Sequence, residues 1–244
     1  MAESSIDGST GIRSGCCVLR LTGVLDGTTY RWLRDLLVKL AVEQPVAVIV
    51  DLDDLRVEQE TSLTVFSSVW MQVNQWPGVP ILLVASAGSQ RARLGGAISR
   101  FTPCYAAVGD AVIAAGQPPA RRRATLELEA ATTSSRVARA FVRETCQEWG
   151  VSAHASDAEA VAIELVDNVS VHAGTTSRIR LELRNKLLTI AVRDGSPRPA
   201  VLRERIGTEH WGNGLRIIAE LSRAWGCSPE LNGGKVVWAV LACD

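Results

Sequence analysis

The residues best suited to chemistry are a carboxylate and an amide spaced one helical turn apart. Glu164 and Asn168 stand at i and i+4 in a helix predicted over 156–172, and His172 follows at i+8. Residues at that spacing share one helix face. A carboxylate can orient or deprotonate a nucleophile, and an amide oxygen can bind Mg²⁺. An exposed polar face explains the same pattern, so the spacing alone leaves both interpretations open.

Two further segments carry residues suited to a nucleotide. Asp194 and Gly195 follow a predicted strand over 187–193, where the carboxylate can either accept from an exocyclic amine or cap the turn. The second segment is the run Gly212, Asn213, Gly214 and Leu215. It opens a helix predicted over 214–225, whose unpaired N–H groups suit a phosphate. The chain has neither a Walker A sequence nor a complete dinucleotide-binding fingerprint.

Composition excludes several classes of protein. The 244 residues include 26 Lys+Arg and 26 Asp+Glu, so no bulk charge draws the chain to nucleic acid or an anionic membrane. No apolar run reaches the roughly 18 residues of a transmembrane helix, and the polar N-terminus does not resemble a signal peptide. The six cysteines form no CxxC pair, so we expect reduced thiols, no zinc-type metal site built from cysteines, and a cytoplasmic location.

The order of the predicted elements indicates two domains. Residues 1–15 are predicted to be flexible, and strands alternate with helices over 16–116, which is typical of an α/β layer. A Pro-rich and then basic stretch predicts a linker over 117–123, whose arginines are solvated or form a docking patch. Residues 124–244 are predicted to form an α+β sandwich, an antiparallel sheet with helices on one face.

The second half of the chain resembles a known family. In order it carries Glu-Leu-x-x-Asn-x-x-x-His-Ala, Asp-Gly-Ser-Pro-x-Pro, Gly-x-Gly-Leu and a final Gly-Lys-Val-Val-Trp. Over roughly 124–242 this order resembles the GHKL (Bergerat) ATPase fold, and more narrowly its anti-sigma-factor serine kinase branch. Ser196 and Arg198 depart from the superfamily pattern, because they stand where it has glycines.

The resemblance implies roles for these residues toward ATP and Mg²⁺. Glu164 would be the general base, and Asn168 would bind the Mg²⁺ that bridges the phosphates. Asp194 would accept from the adenine amine. Neighbouring members of the same motifs, His172 and Gly195, would also line the nucleotide. The phosphates would be contacted by the backbone amides of Gly212, Asn213, Gly214 and Leu215.

The first half resembles another family. Residues 16–115 carry Leu-Thr-Gly-x-Leu-Asp and Val-Ile-Val-Asp-Leu-Asp-Asp-Leu, which are similar to the STAS domain of anti-sigma-factor antagonists. The resemblance implies a phosphoacceptor hydroxyl at the start of a helix predicted over 61–74. Thr61 and Ser62 stand there, but the usual Asp and Gly around the acceptor are replaced. The alternative is that these hydroxyls only cap the helix.

Together the two resemblances imply an ATP-binding regulator of sigma-factor partner switching. It would be an anti-sigma factor with serine/threonine kinase activity toward a STAS antagonist, with homodimer formation a further expectation. The alternative is a non-catalytic, nucleotide-responsive switch in which the degenerate STAS domain docks on the ATPase domain. A histidine-kinase fragment is less favoured, because no dimerisation helix with an acceptor histidine precedes the ATPase region.

Overall fold

The chain divides into two units, Met1–Pro118 and Pro119–Asp244. The computed structural model describes residues 4–74, 76–95, 98–116, 121–200 and 214–243. Each unit has its own sheet and its own helices.

Over its described ranges, the first unit is a six-stranded sheet combined with four α-helices. Its strands are β1 (Ile6–Arg13), β2 (Cys16–Leu25), β3 (Val48–Asp51), β4 (Leu55–Val57), β5 (Ile81–Val84) and β6 (Cys104–Tyr105). They follow the order β1-β2-β3-β5-β6, with β4 pairing the far end of β2; every pair is parallel except β1 with β2. The helices are α1 (Tyr30–Val42), α2 (Thr64–Val73), α3 (Gly88–Arg93) and α4 (Val108–Ala115). The predicted α/β architecture is confirmed for this unit.

Burial explains why the central strands form where they do. All four residues of β3 and all four of β5 are buried, as expected for parallel strands covered on both faces. In α1 the leucines at i, i+4 and i+7, Leu33, Leu37 and Leu40, lie on the buried side of the helix.

Strand β1 contradicts the prediction of a flexible segment over 1–15. It pairs with β2 over its whole length, and Ser14 and Gly15 turn the chain with φ of 51° and 76°. Most of β1 is exposed, with Ile12 77% exposed, so it lacks the apolar alternation that identifies a strand in a sequence. Pairing with a neighbouring strand, rather than burial of side chains, orders this segment.

In the residues that the structure describes, the second unit is a five-stranded antiparallel sheet with three α-helices. Its elements are β7 (Arg121–Leu128), α5 (Ser134–Glu148), α6 (Ala155–His172), β8 (Ser177–Arg184), β9 (Leu187–Asp194), α7 (Gly214–Leu221), β10 (Ala224–Pro229) and β11 (Lys235–Ala242). The strand order is β10-β11-β9-β8-β7. One face of the sheet joins the helices in a single core cluster, to which alternate residues of β8, β9 and β11 contribute. This arrangement agrees with the predicted α+β architecture, whereas the GHKL assignment stays a prediction.

Two segments of this unit differ from their predictions. Arg121–Arg123 belong to β7 rather than to a linker, because they pair with β8, where Glu182 lies within 3.2 Å of Arg121 and 3.1 Å of Arg123. The rest of the predicted linker, 117–120, lies outside the described residues. The helix predicted over 214–225 ends at Leu221, and the chain continues into β10.

Candidate functional site

Helix α6 carries the carboxylate and the amide that the sequence singles out. Glu164 and Asn168 are both half-buried, while Leu165, Val166 and Val169 pack in the core. His172 is the last residue of α6, and its side chain lies outside the described part of the structure. The core side of the helix is therefore apolar, and two polar groups at i and i+4 lie beside it.

The amide of Asn168 is buried without a partner. Its Nδ2 atom makes no hydrogen bond with any group in the part of the chain that the structure describes. A buried polar group left unpaired costs about 1–3 kcal/mol, and such groups are few in native structures. Rotation of the amide by 180° exchanges its nitrogen and oxygen, so the same position can present an acceptor oxygen to a cation. The donor chemistry of Asn168 therefore fits a Mg²⁺ ligand.

The electrostatics of α6 raise the proton affinity of Glu164. Burial raises the pKa of Glu164, and the negative charge of Asp167 raises it further. Asp167 in turn accepts a hydrogen bond from the hydroxyl of Ser135 on α5. A carboxylate whose pKa is raised in this way is a better proton acceptor at neutral pH than an ordinary glutamate. The surroundings of Glu164 therefore suit a general base.

Asp194 lies at the end of β9 in a buried ion pair that the sequence analysis missed. Its Oδ1 accepts hydrogen bonds from the Lys235 ammonium at 2.8 Å and from the Ser196 backbone N–H at 2.7 Å. The side chains of Asp194 and Lys235 are 1% and 8% exposed. A carboxylate offers about four acceptor positions. Asp194 therefore keeps acceptor capacity for an exocyclic amine, but Lys235 already neutralises its charge.

The loop after α6 meets the turn after β9. The Gly195 backbone N–H donates to the Thr175 hydroxyl at 3.2 Å. On the other side, Gly234 approaches the Asp194 carbonyl so closely that an added Cβ would lie 2.4 Å from its oxygen. The C-terminal end of α6 and the carboxylate of Asp194 therefore belong to the same edge of the unit. Only the strand register, which pairs Lys235 with Asp194, identifies Lys235 as part of this edge.

The predicted phosphate loop is described only in part. Gly212 and Asn213 lie outside the described residues, and Gly214 is the first residue of α7. The side chain of Leu215 is buried in the core cluster, so only its backbone could contact a ligand. Helix α7 packs against α6. The N-terminus of α7 thus belongs to the helix layer that carries Glu164 and Asn168.

The two candidate acceptor hydroxyls of the first unit differ in accessibility. Thr61 and Ser62 lie in a short 3-10 helix, Glu60–Leu63, that precedes α2. Thr61 is exposed, whereas Ser62 is 4% exposed. The interpretation of these hydroxyls as caps is wrong, because neither α2 nor the 3-10 helix has a side-chain cap. Glu60 forms an ion pair with Arg93 at 3.1 Å.

The described residues contain no group of three or more His, Cys, Asp or Glu side chains able to hold a metal ion. None of their helices is long and apolar enough to cross a membrane. All six cysteines are free thiols.

Comparison with known proteins finds similar solved structures, but no matching family and no similar curated sequence. No protein-family profile matches the chain, and no curated protein matches it in sequence. An anti-sigma factor antagonist from Mycobacterium paratuberculosis is similar at 18% identity, with a TM-score of 0.41, over 46% of this chain and 96% of its own. The antagonist SpoIIAA in its unphosphorylated form is similar at 13% identity, with a TM-score of 0.36, over 46% and 99%.

A third structural neighbour contains two domains. The RsbU and RsbW domains of a Mycobacterium tuberculosis protein are similar at 18% identity, with a TM-score of 0.39, over 50% of this chain. This chain covers 32% of that structure. Similarities of this size assign neither a family nor an activity to the chain.

Proposed function

We propose that this protein is an ATP-binding regulator of sigma-factor partner switching, with serine/threonine kinase activity toward a STAS-type antagonist. The observation that carries the proposal is the buried amide nitrogen of Asn168, which has no hydrogen-bond partner among the described residues and lies one helical turn from Glu164. Asp194 also supports the proposal, because it lies at the end of β9, at the same edge of the unit as the C-terminal end of α6. The resemblance of 124–242 to the anti-sigma kinases supplies the class of ligand and partner.

Each residue has a distinct task in the proposed reaction. Asn168 holds Mg²⁺, which neutralises phosphate charge when it is bound. Glu164 takes the proton of the acceptor hydroxyl, for which its raised pKa suits it. Asp194 accepts a hydrogen bond from the exocyclic amine of adenine, and the hydrogen bond from Lys235 orients that carboxylate. Backbone amides from Gly212 to Leu215 contact the phosphates.

Titration calorimetry of the full chain with Mg-ATP tests the binding site. We expect saturable binding that is lost in Asn168→Ala and in Asp194→Asn. Asn232→Ala is the matched control, since Asn232 is an exposed residue of the β10–β11 turn in the same unit. Circular dichroism of each variant establishes that the fold is retained. Absence of binding in the unaltered chain, or unchanged binding in both site variants, would refute the proposal.

Transfer of labelled γ-phosphate to an added STAS-type antagonist tests the catalytic part separately. We expect transfer by the unaltered chain and loss of transfer in Glu164→Gln, with Mg-ATP binding retained. Normal transfer by that variant would show that Glu164 is not the base. If ATP binds but no antagonist is phosphorylated, the nucleotide site stands and the kinase assignment fails.

The alternative of a non-catalytic switch is supported by the burial of Ser62, one of the two candidate acceptors of the first unit, although Thr61 beside it is exposed. A hydroxyl that is 4% exposed is not accessible to a kinase, and Glu60 already supplies a negative charge beside it. In this alternative, ATP changes the state of the first unit without phosphate transfer. Hydrogen exchange of the first unit would then respond to Mg-ATP, and the response would survive in Glu164→Gln. A response that requires Glu164 would favour the kinase.

A further inference from the structure

The buried ion pair at the end of β9 faces the helix layer of the second unit. Asp194 and Lys235 stand directly opposite each other on β9 and β11. Alternate residues of a strand point to the same face, so both share the face of Val192 and Val237, which lie in the core cluster with the helices. Asp194 is the last residue of β9, and Lys235 is the first of β11. The pair therefore lies at the edge of the unit that the end of α6 also reaches, through Thr175.

Only one oxygen of the Asp194 carboxylate is engaged within the described residues. Its Oδ1 accepts from the Lys235 ammonium at 2.8 Å and from the Ser196 backbone N–H at 2.7 Å. Each carboxylate oxygen has about two acceptor positions, so these two donors use those of Oδ1. Asp194 can therefore present Oδ2 to a ligand, but it cannot bind two neighbouring donors with both of its oxygens.

The Lys235 ammonium retains a donor for a ligand. An ammonium group has three N–H donors. In the described part of the chain, Lys235 donates to Asp194 Oδ1 and, at 3.5 Å, to the Ser196 carbonyl. Its side chain is 8% exposed, so water has little access to the remaining N–H. Because a buried polar group is stabilised by a partner, an acceptor on a ligand beside Oδ2 would satisfy this donor.

The acceptor and the donor together match one edge of adenine. The exocyclic amine of adenine donates hydrogen bonds, and the neighbouring ring nitrogen N1 accepts one. Asp194 Oδ2 suits the amine, and the remaining Lys235 N–H suits N1. Hypoxanthine has a carbonyl oxygen and an N1–H at the same positions, so it would place an acceptor against the carboxylate and a donor against the ammonium. The ion pair therefore distinguishes the two bases by their hydrogen bonds.

We propose that Lys235 contacts the base directly: its ammonium donates to N1 of adenine while the Asp194 carboxylate accepts from the exocyclic amine. The inference rests on the proposed function, which places adenine at Asp194. It adds that Lys235 is a specificity-determining residue of the site, and not only the counter-charge of a buried carboxylate. The same ammonium would thus orient the carboxylate through Oδ1 and bind the ring atom beside the amine.

Nucleotide analogues test the contact in the unaltered full chain. In 1-deaza-ATP a C–H group replaces N1 and the exocyclic amine remains, whereas ITP carries hypoxanthine. In titration calorimetry with Mg²⁺, we expect 1-deaza-ATP to bind about ten- to hundredfold more weakly than ATP, because it leaves a charged donor without its acceptor. ITP should bind more than about hundredfold more weakly, because both of its groups are mismatched.

The outcomes separate this inference from the proposed function. If ATP and 1-deaza-ATP bind with equal affinity, or if ITP binds as tightly as ATP, Lys235 does not contact N1, although the ATP site stands. If ATP itself does not bind, the proposed function and this inference fail together.

Lys235→Met assigns the effect to this side chain. The variant also removes the counter-charge of Asp194, so the ratio of the two nucleotide affinities, rather than either affinity, gives the result. We expect ATP and 1-deaza-ATP to bind Lys235→Met equally. Lys186→Met is the matched control, because Lys186 is exposed in the β8–β9 turn, and it should retain the ratio of the unaltered chain. A preference for ATP over 1-deaza-ATP that persists in Lys235→Met would overturn the proposal.

NMR of the lysine ammonium groups tests the contact without altering Lys235. The chain has three lysines, Lys39, Lys186 and Lys235, so ¹⁵N-lysine labelling gives few signals, which Lys39→Arg and Lys186→Arg assign. At saturating nucleotide, we expect Mg-ATP to shift the Lys235 signal and Mg-1-deaza-ATP to shift it far less, with the other two lysines as internal controls. Equal shifts with both nucleotides, or no shift with either, would refute the contact.

Discussion

Replacing Lys235 by methionine should destabilise the second unit strongly, because it leaves the Asp194 carboxylate buried without its counter-charge. The two side chains are 2.8 Å apart and 8% and 1% exposed, so little solvent can replace the lost ammonium. Removing one member of a buried ion pair costs about 3–5 kcal/mol. The Ser196 backbone N–H still donates to the carboxylate, so we expect a loss near the lower limit, about 3 kcal/mol.

The loss can be measured in the full chain with reporters from the second unit alone. Pulsed hydrogen exchange during urea unfolding, read by mass spectrometry on peptides from β9 and β11, follows that unit separately from the first. With a denaturant dependence of about 1–3 kcal/mol per molar urea, the midpoint should fall by about 1–3 M. Lys186→Met is the control, because Lys186 is an exposed residue of the β8–β9 turn and should leave the midpoint unchanged.

A second variant separates a broken ion pair from a loss of packing. Lys235→Met combined with Asp194→Asn removes both charges, so no unpaired ion remains in the buried site. We expect the double variant to recover most of the stability lost in Lys235→Met. If Lys235→Met costs less than about 1 kcal/mol, or if the second change adds to the loss, the buried ion pair does not stabilise this unit as argued.

Three further changes test the remaining electrostatics and one close backbone contact. Glu159→Gln should cost about 1–2 kcal/mol at pH 7, because two half-exposed arginines bind that carboxylate. They lower the pKa of Glu159 to about 2 from 4.5, so its contribution is present above pH 4.5 and is lost as the pH falls toward 2. Urea unfolding over that range should bring the variant and the unaltered chain together; a constant difference would contradict the assignment. Glu164→Gln should stabilise the fold at pH 7, because burial and Asp167 raise the pKa of Glu164 and so make its ionised form unfavourable there. The gain should shrink as the pH falls toward 4.5, and a loss of stability at pH 7 would refute it. Gly234→Ala should cost about 1–3 kcal/mol more than Gly233→Ala in thermal unfolding. Both glycines have φ above 80°, but only at Gly234 does a Cβ meet a backbone oxygen, so equal costs would contradict that contact.

Patterns within a single element were sufficient to predict much of the fold. The β-branched run at β3 and the apolar side of α6 follow from local periodicity, and both are buried as expected. The i, i+4 spacing that relates Glu164 to Asn168 is likewise a property of one helix. These predictions succeed because the chemistry and the geometry come from the same short stretch of chain.

Elements that depend on a partner strand were predicted poorly. Strand β1 is mostly exposed, and the arginines at the start of β7 follow the composition of a linker. Strand β10 begins at Ala224, within the helix predicted over 214–225, and it contains Gly226. In the structure a Cβ at Gly226 would lie 2.6 Å from the Trp238 ring, so the strand requires that glycine. The pairing with a neighbouring strand, and not the pattern of the segment itself, explains each of these segments.

The sequence by itself determined which groups are available: a carboxylate and an amide on one helix, and an aspartate at a strand end. The tertiary structure alone decided what surrounds them. It buries the Asn168 amide without a partner, and it pairs Asp194 with Lys235, 41 residues away. The physical reason is that burial and ion pairing depend on the register between segments far apart in the chain, and no local pattern specifies that register.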